Sequence, residues 1–166
     1  MGPFEIRIYP DPVLKELSSE VREIDAGISS FIDRLVATLR STPGVGLAAP
    51  QVGELLRIIA IDVTPKNPGH GLIVLINPVI TSSTGIEKVR EGCLSVPDYT
   101  ANIQRAKEVE VKGLDRDGKE VAYSSSGLEA IAFQHEIDHL DGILFLDRIA
   151  NMKRDLFRRK IKGTVS

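Results

Sequence analysis

The chain has a single cysteine, Cys93, among its 166 residues. That excludes an intrachain disulfide and fits a reducing compartment. No apolar run approaches the ~20 residues that a helical membrane span needs. The opening Met1-Gly2-Pro3-Phe4-Glu5-Ile6 has no basic stretch leading into an apolar one, so no secretory leader is expected. It is not Arg- and Ser-rich like a transit peptide either. Gly2 invites a myristoyl chain, but Ile6 stands where that signal needs Ser or Thr. An excess of one charge is also missing: 21 basic residues face 23 acidic ones, for a net −2. A whole-molecule nucleic-acid glove is thereby excluded, and no DNA partner is expected. There is no internal repeat and no low-complexity tract. Residues 1–166 are expected to form a single cytoplasmic domain, long enough to bury a core.

What is present reads as α+β. Over residues 25–39, Ile28, Phe31, Ile32, Leu35, Val36 and Leu39 recur at helical spacing, which predicts an amphipathic helix. Ser41-Thr42-Pro43-Gly44 should end it. Residues 56–62 and 72–80 are β-branched-rich and predict strands, with Pro78 marking an edge or a break. Residues 109–114 and 120–123 predict a hairpin closed by Asp115-Arg116-Asp117-Gly118. Ser126 followed by Glu129 predicts a capping box opening a second helix, which runs to His139 and stops at Gly142. That helix is apolar on most faces and should be buried. A last helix is expected over residues 152–162. The architecture that follows is mainly antiparallel strands around a central buried helix, with one helix before it and one after.

The buried helix carries Gln134-His135-Glu136-Ile137-Asp138-His139. Two histidines four residues apart project from one helix face, so two imidazole nitrogens can meet one metal ion. Glu136 lies beside them and can handle a water without being a ligand. On an exposed helix the same letters can be two solvated histidines and a salt-bridging acid. Here the flanks are apolar, and burying these groups without partners would be costly. A metal ion resolves that cost. His70, in Asn67-Pro68-Gly69-His70-Gly71, reads as a solvated loop residue. The third ligand is then Cys93, in Glu91-Gly92-Cys93-Leu94-Ser95-Val96-Pro97, or a carboxylate further along the helix. Without that context a lone cysteine is a small buried hydrophobe. Gly44-Val45-Gly46-Leu47-Ala48-Ala49-Pro50-Gln51 reads as a tight buried loop. It lacks the Gly-Lys-Ser/Thr of a phosphate loop. Gln51 can either donate to a developing oxyanion or be satisfied by backbone.

Together these three segments resemble the three motifs of the peptide deformylase family, in order and at fitting spacing. Tyr9-Pro10-Asp11-Pro12 and Ile76-Asn77-Pro78 are similar to it as well. The resemblance implies a hydrolase that removes the formyl group from N-terminal formyl-methionine of new proteins and releases formate. It implies one divalent metal on Cys93, His135 and His139, physiologically Fe²⁺, with Zn²⁺, Ni²⁺ or Co²⁺ able to take the same ligands. Glu136 is implied as the proton carrier, and Gln51 with the Leu94 backbone N–H as the oxyanion donors. The substrate would run extended near Val45 and Gly46. Its methionine would be walled by Val45, Leu128, Ile131 and the His135 ring. Asp98-Tyr99-Thr100-Ala101 departs from many bacterial members, which have a basic residue there.

Two other functions share parts of this pattern. A zinc-dependent endopeptidase would share the helix motif only, and Cys93 speaks against it. A non-catalytic metal-binding protein would have no use for Glu136. The segment 152–162 carries six basic residues against Asp155 alone, net +5 against −7 for the rest of the chain. It reads as a solvated helix face, or as a contact with ribosomal RNA.

Overall fold

The computed structural model describes residues 2–159. Its elements are α1 (Ala26–Arg40), β1 (Gly46–Ala48), β2 (Ile58–Ile61), β3 (Ile73–Thr84), β4 (Glu87–Cys93), β5 (Val96–Arg105), β6 (Glu108–Leu114), β7 (Glu120–Ser126), α2 (Gly127–Leu140), α3 (Met152–Asp155) and β8 (Leu156–Arg158). Two antiparallel sheets form. One has the order β1-β2-β3-β6-β7, the other β4-β5-β8.

The five-stranded sheet is covered on both faces, which explains why β2 is apolar at every position. Ile59 and Ile61 pack with Leu75, Val111, Phe133 and Ile137, on the side of α2. Ile58 and Ala60 point the other way and pack with Ile32, Leu35 and Leu39 of α1. Asp25 caps α1 by accepting from the Ile28 N–H at 2.9 Å. The second sheet has its own core of Leu14, Val96, Ile103, Leu144 and Phe145. The α2 helix thus lies on the large sheet through apolar side chains. It meets the small sheet through charged ones, and the site forms along that seam.

The α+β reading holds, with both expected strands, the hairpin and the buried helix in place. Pro78 does mark a break: the ladder between β3 and β6 shifts between Ile76 and Val79. Asn77 there has φ 53° and ties its amide to both Val21 backbone groups at 2.9 Å. Asparagine tolerates that left-handed backbone better than most residues.

Three expectations change. The loop 44–51 is buried, but it contains strand β1 and a 3₁₀ turn, Ala49–Val52. The last helix is only four residues long, because Leu156–Arg158 pairs with Tyr99–Ala101 of β5 instead. Lys160 and Lys162 of the expected basic helix lie outside the described residues. The capping box does not form, and Ser126 makes no side-chain cap bond.

Glu129 is turned to a different task, which also makes His70 more than a solvated loop residue. It accepts from the His70 N–H at 2.7 Å, from the His70 ring and from Ser125 Oγ at 2.6 Å. Burial raises the Glu129 carboxyl, but these donors outweigh it and hold the group below its ordinary range. Its stabilisation is therefore full above the ordinary glutamate pKa and is lost as pH falls through the lower folded value. Glu129→Ala is expected to cost about 1–3 kcal/mol at pH 7. Thermal unfolding of both proteins should show that gap narrowing towards pH 3.

Candidate active site

Cys93 ends β4, and His135 and His139 sit a turn apart on α2. Their donor atoms all lie within 4.8 Å of one another. Cys93 Sγ is 3.4 Å from His139 Nε2, which is 3.2 Å from His135 Nε2. Around a tetrahedral ion with ordinary metal–nitrogen and metal–sulfur bonds, such edges measure about 3.3–3.6 Å. Two of the three edges between the donors therefore already stand at the spacing of a coordination shell. A carboxylate as third ligand is not needed, and Asp138 is engaged elsewhere.

The electrostatics fit a cation as well. Glu91 Oε1 accepts from His135 Nδ1 at 2.7 Å, which leaves the His135 Nε2 lone pair facing Cys93 and His139. Burial works against a charge on His135, but Glu136, Cys93 and Glu91 outweigh it and make the position attractive to positive charge. Burial, helped by neighbouring His135, keeps His139 neutral, so its nitrogen is free to ligate.

Glu136 is 4% exposed, and its Oε1 has no hydrogen-bond partner among the described residues. Burial is the main reason its carboxyl is pushed up to about 7. Gly46 makes room for it: a Cβ there would lie 2.6 Å from Glu136 Oε2 and 2.9 Å from its Cγ. Gln51 is fixed by the Ala48 N–H, which donates to Oε1 at 2.9 Å. Its Nε2 then donates to Ser95 Oγ at 3.1 Å and stands 3.6 Å from Cys93 Sγ. Leu94 opens the two-residue turn after Cys93, and Cys93 pairs with Val96 across it. The Leu94 N–H is thereby left outside the ladder.

A cleft of about 200 Å³ opens over this cluster. Val45, Gly46, Gln51, Leu94, Leu128 and Ile131 all line it, together with Cys93, His135 and Glu136. Of the expected site residues only His139 stays behind, 1% exposed.

The polypeptide deformylase family model matches residues 3–155. A peptide deformylase of Thermodesulfovibrio yellowstonii is 50% identical over 162 residues, which is 98% of this chain and 98% of that protein. The chain belongs to the peptide deformylase family. A deformylase of Syntrophobacter fumaroxidans is 47% identical over 98% of this chain and 95% of its own. The crystal structure of a Legionella pneumophila deformylase superposes with a TM-score of 0.86 at 40% identity, covering 92% of this chain and 89% of that one. The Synechococcus elongatus deformylase, solved in complex with actinonin, gives 0.84 at 38% identity over 91% and 81%. Membership sets aside both the endopeptidase and the non-catalytic reading.

One part of the deformylase site had no sequence expectation. Glu91 also binds Arg105, Oε2 to Nε at 2.6 Å and Oε1 to Nη2 at 2.9 Å. Arg105 Nη1 donates to Asp138 at 2.7 Å, and Arg148 grips Asp138 twice from outside. Burial raises the Glu91 carboxyl, but Arg105 and His135 bring it down to about 2. The signal was available in β5. Ala101 and Ile103 face inward at alternate positions, and Arg105 comes next in that row, 4% exposed. An inward arginine on a strand announces a buried carboxylate.

Proposed function

We propose that Cys93, His135 and His139 hold one divalent metal ion, and that Glu136 carries the protons of formyl-methionine hydrolysis in a single catalytic domain spanning the chain. The observation behind this is the meeting of three ligand-type donor atoms within 4.8 Å of one another, beside a buried carboxylate whose Oε1 has no partner among the described residues. Sulfur and two imidazoles suit Fe²⁺, Zn²⁺, Ni²⁺ or Co²⁺, and Fe²⁺ is the proposed native ion. Bound there, the ion supplies Lewis acidity to the formyl carbonyl and acidifies water.

The remaining steps belong to side chains. Glu136 takes the proton of the attacking water and later gives it to the leaving amine nitrogen, as the bond between that nitrogen and the formyl carbon breaks. A carboxyl near neutrality can do both. Gln51 Nε2 and the Leu94 N–H donate to the oxygen that becomes anionic. Val45, Leu128 and Ile131 wall the methionine side chain. Gly46 lies in β1, an edge strand, where an extended peptide can add along the backbone.

The substrates are nascent chains, and a cytoplasmic location is the one proposed for an enzyme that meets them. No helix among the described residues is long and apolar enough to cross a membrane. A ribosome contact is supported only by charge in the C-terminal segment. Arg154 there is already paired with Asp155.

The test is formate release from a formyl-methionyl peptide by protein purified without air and loaded with Fe²⁺ or Ni²⁺. Metal analysis gives an independent reading. Cys93→Ala is expected to lower metal content from about one ion per chain to a small fraction of that. Unchanged metal content would remove Cys93 as a ligand.

A further inference from the structure

An arginine from the far end of the chain lies against one of the residues that line the cleft. Gly92 and Cys93 line the cleft, and Gly92 has no side chain. A Cβ placed on it would lie 2.5 Å from Arg159 Nη2 and 3.7 Å from Arg159 Cζ. The guanidinium therefore lies directly on the Gly92 backbone, one residue from the sulfur donor. Two contacts hold Arg159 there. Arg158 pairs with Tyr99 across β8 and β5, and the Arg159 N–H donates to the Asp98 carbonyl at 2.7 Å.

Arg159 has no carboxylate partner among the described residues. None of the ion pairs among the described residues involves it. The residue is exposed. Arg90 lines the cleft itself, but its guanidinium sits over the Phe157 ring at 3.7 Å and donates to Asn102. Asp98-Tyr99-Thr100-Ala101 contributes no cation of its own. The short β8 strand thus brings against Gly92 a charge that the neighbouring β5 segment lacks.

We infer that Arg159 is a specificity-determining residue that binds a carboxylate side chain on one of the two residues after the formyl-methionine. The inference rests on the deformylase reading of the site. Its reach follows from chain geometry: two residues of extended peptide span about 7 Å, and the guanidinium lies against Gly92, the residue next to the sulfur donor. Arginine is suited to this because its planar fork can hold a carboxylate through two parallel N–H bonds.

The test uses full-length, metal-loaded enzyme and formyl-methionyl peptides with Asp, Ala or Lys at the second or third position. All carry amidated C-termini, so that only a side chain can offer the carboxylate. Wild type is expected to favour the Asp peptides over the Lys peptides by about fivefold in KM at low salt, with kcat nearly unchanged. Arg159→Ala should erase that preference, Arg159→Lys should keep part of it, and Arg159→Glu should reverse it. Equal KM values across the wild-type series would overturn the inference. So would a preference that survives Arg159→Ala but is lost in Arg90→Ala.

Binding of the same peptides, labelled and followed by fluorescence anisotropy, separates the two readings. It is measured on metal-loaded Glu136→Ala, with and without Arg159→Ala. If wild type releases no formate while Arg159 still discriminates in binding, the deformylase reading fails and the docking cation stands. If formate is released and binding shows no Arg159-dependent discrimination, the docking cation alone falls.

Discussion

Formate release by Glu136→Ala is expected to fall by about 10²–10⁴-fold, the usual worth of a positioned acid–base group. Metal content should stay the same, because Glu136 is not among the three clustered donors. The loss should appear in kcat, since the carboxylate is assigned to moving protons and not to holding the peptide. Glu136→Gln should be nearly as damaging, because an amide keeps the shape and loses the base. A subtler variant approaches the same carboxylate from the other side. Gly46→Ala would put a methyl 2.6 Å from Glu136 Oε2 and 3.0 Å from its Cδ. The whole carboxyl group would have to move, not only its tip. That variant should lose at least tenfold in kcat and about 1–3 kcal/mol of stability through overpacking. Wild-type rates in Glu136→Ala with full metal occupancy would remove Glu136 from the mechanism.

Patterns that depend on near neighbours were legible in the sequence. The stripe through Ile28, Ile32, Leu35 and Leu39 gave α1, since its buried face is set by 3.6-residue spacing alone. The β6–β7 hairpin followed from Asp115-Arg116-Asp117-Gly118, where Gly118 adopts φ 82°. The cluster of Cys93, His135 and His139 was reachable because each donor type has few rivals in this chain. Long-range choices were hidden. Glu129 could cap α2 locally, yet it serves His70, 59 residues away. Leu156 and Phe157 are compatible with a helix. They fold otherwise because β5 offers an open edge at Tyr99–Ala101 and Arg90 stacks on Phe157. No local pattern reports an open strand edge. The β4–β5 pair framing Cys93 was not anticipated either.

Glu91→Gln is expected to be the most destabilising single change at the seam between helix and small sheet. The substitution is nearly isosteric, yet it cannot satisfy its neighbours. His135 Nδ1 and the Arg105 guanidinium both donate to the carboxylate oxygens. An amide offers one oxygen and one NH₂, so one neighbour must meet a donor instead of an acceptor. Arg105 would keep at most one contact to a neutral amide oxygen, and Asp138, which Arg148 already grips, would be its one remaining carboxylate. A buried guanidinium that loses its main partner costs about 3–5 kcal/mol, or roughly 10 °C in Tm for a chain of this size. The metal should suffer too. With a neutral amide in place of the carboxylate behind Nδ1, the contact that orients the His135 Nε2 towards Cys93 and His139 is weakened, and such outer contacts are worth about 10–100-fold in metal affinity. The two effects are separable. Thermal unfolding of metal-free protein reads the buried ion pair alone, and competition with a chelator reads the ring orientation. Replacing both Glu91 and Arg105 by apolar residues should recover stability without recovering metal affinity, because the buried charge would be gone while His135 would still lack its acceptor. A double variant as unstable as Glu91→Gln would mean that Glu91 supports the fold through packing and not through its charge.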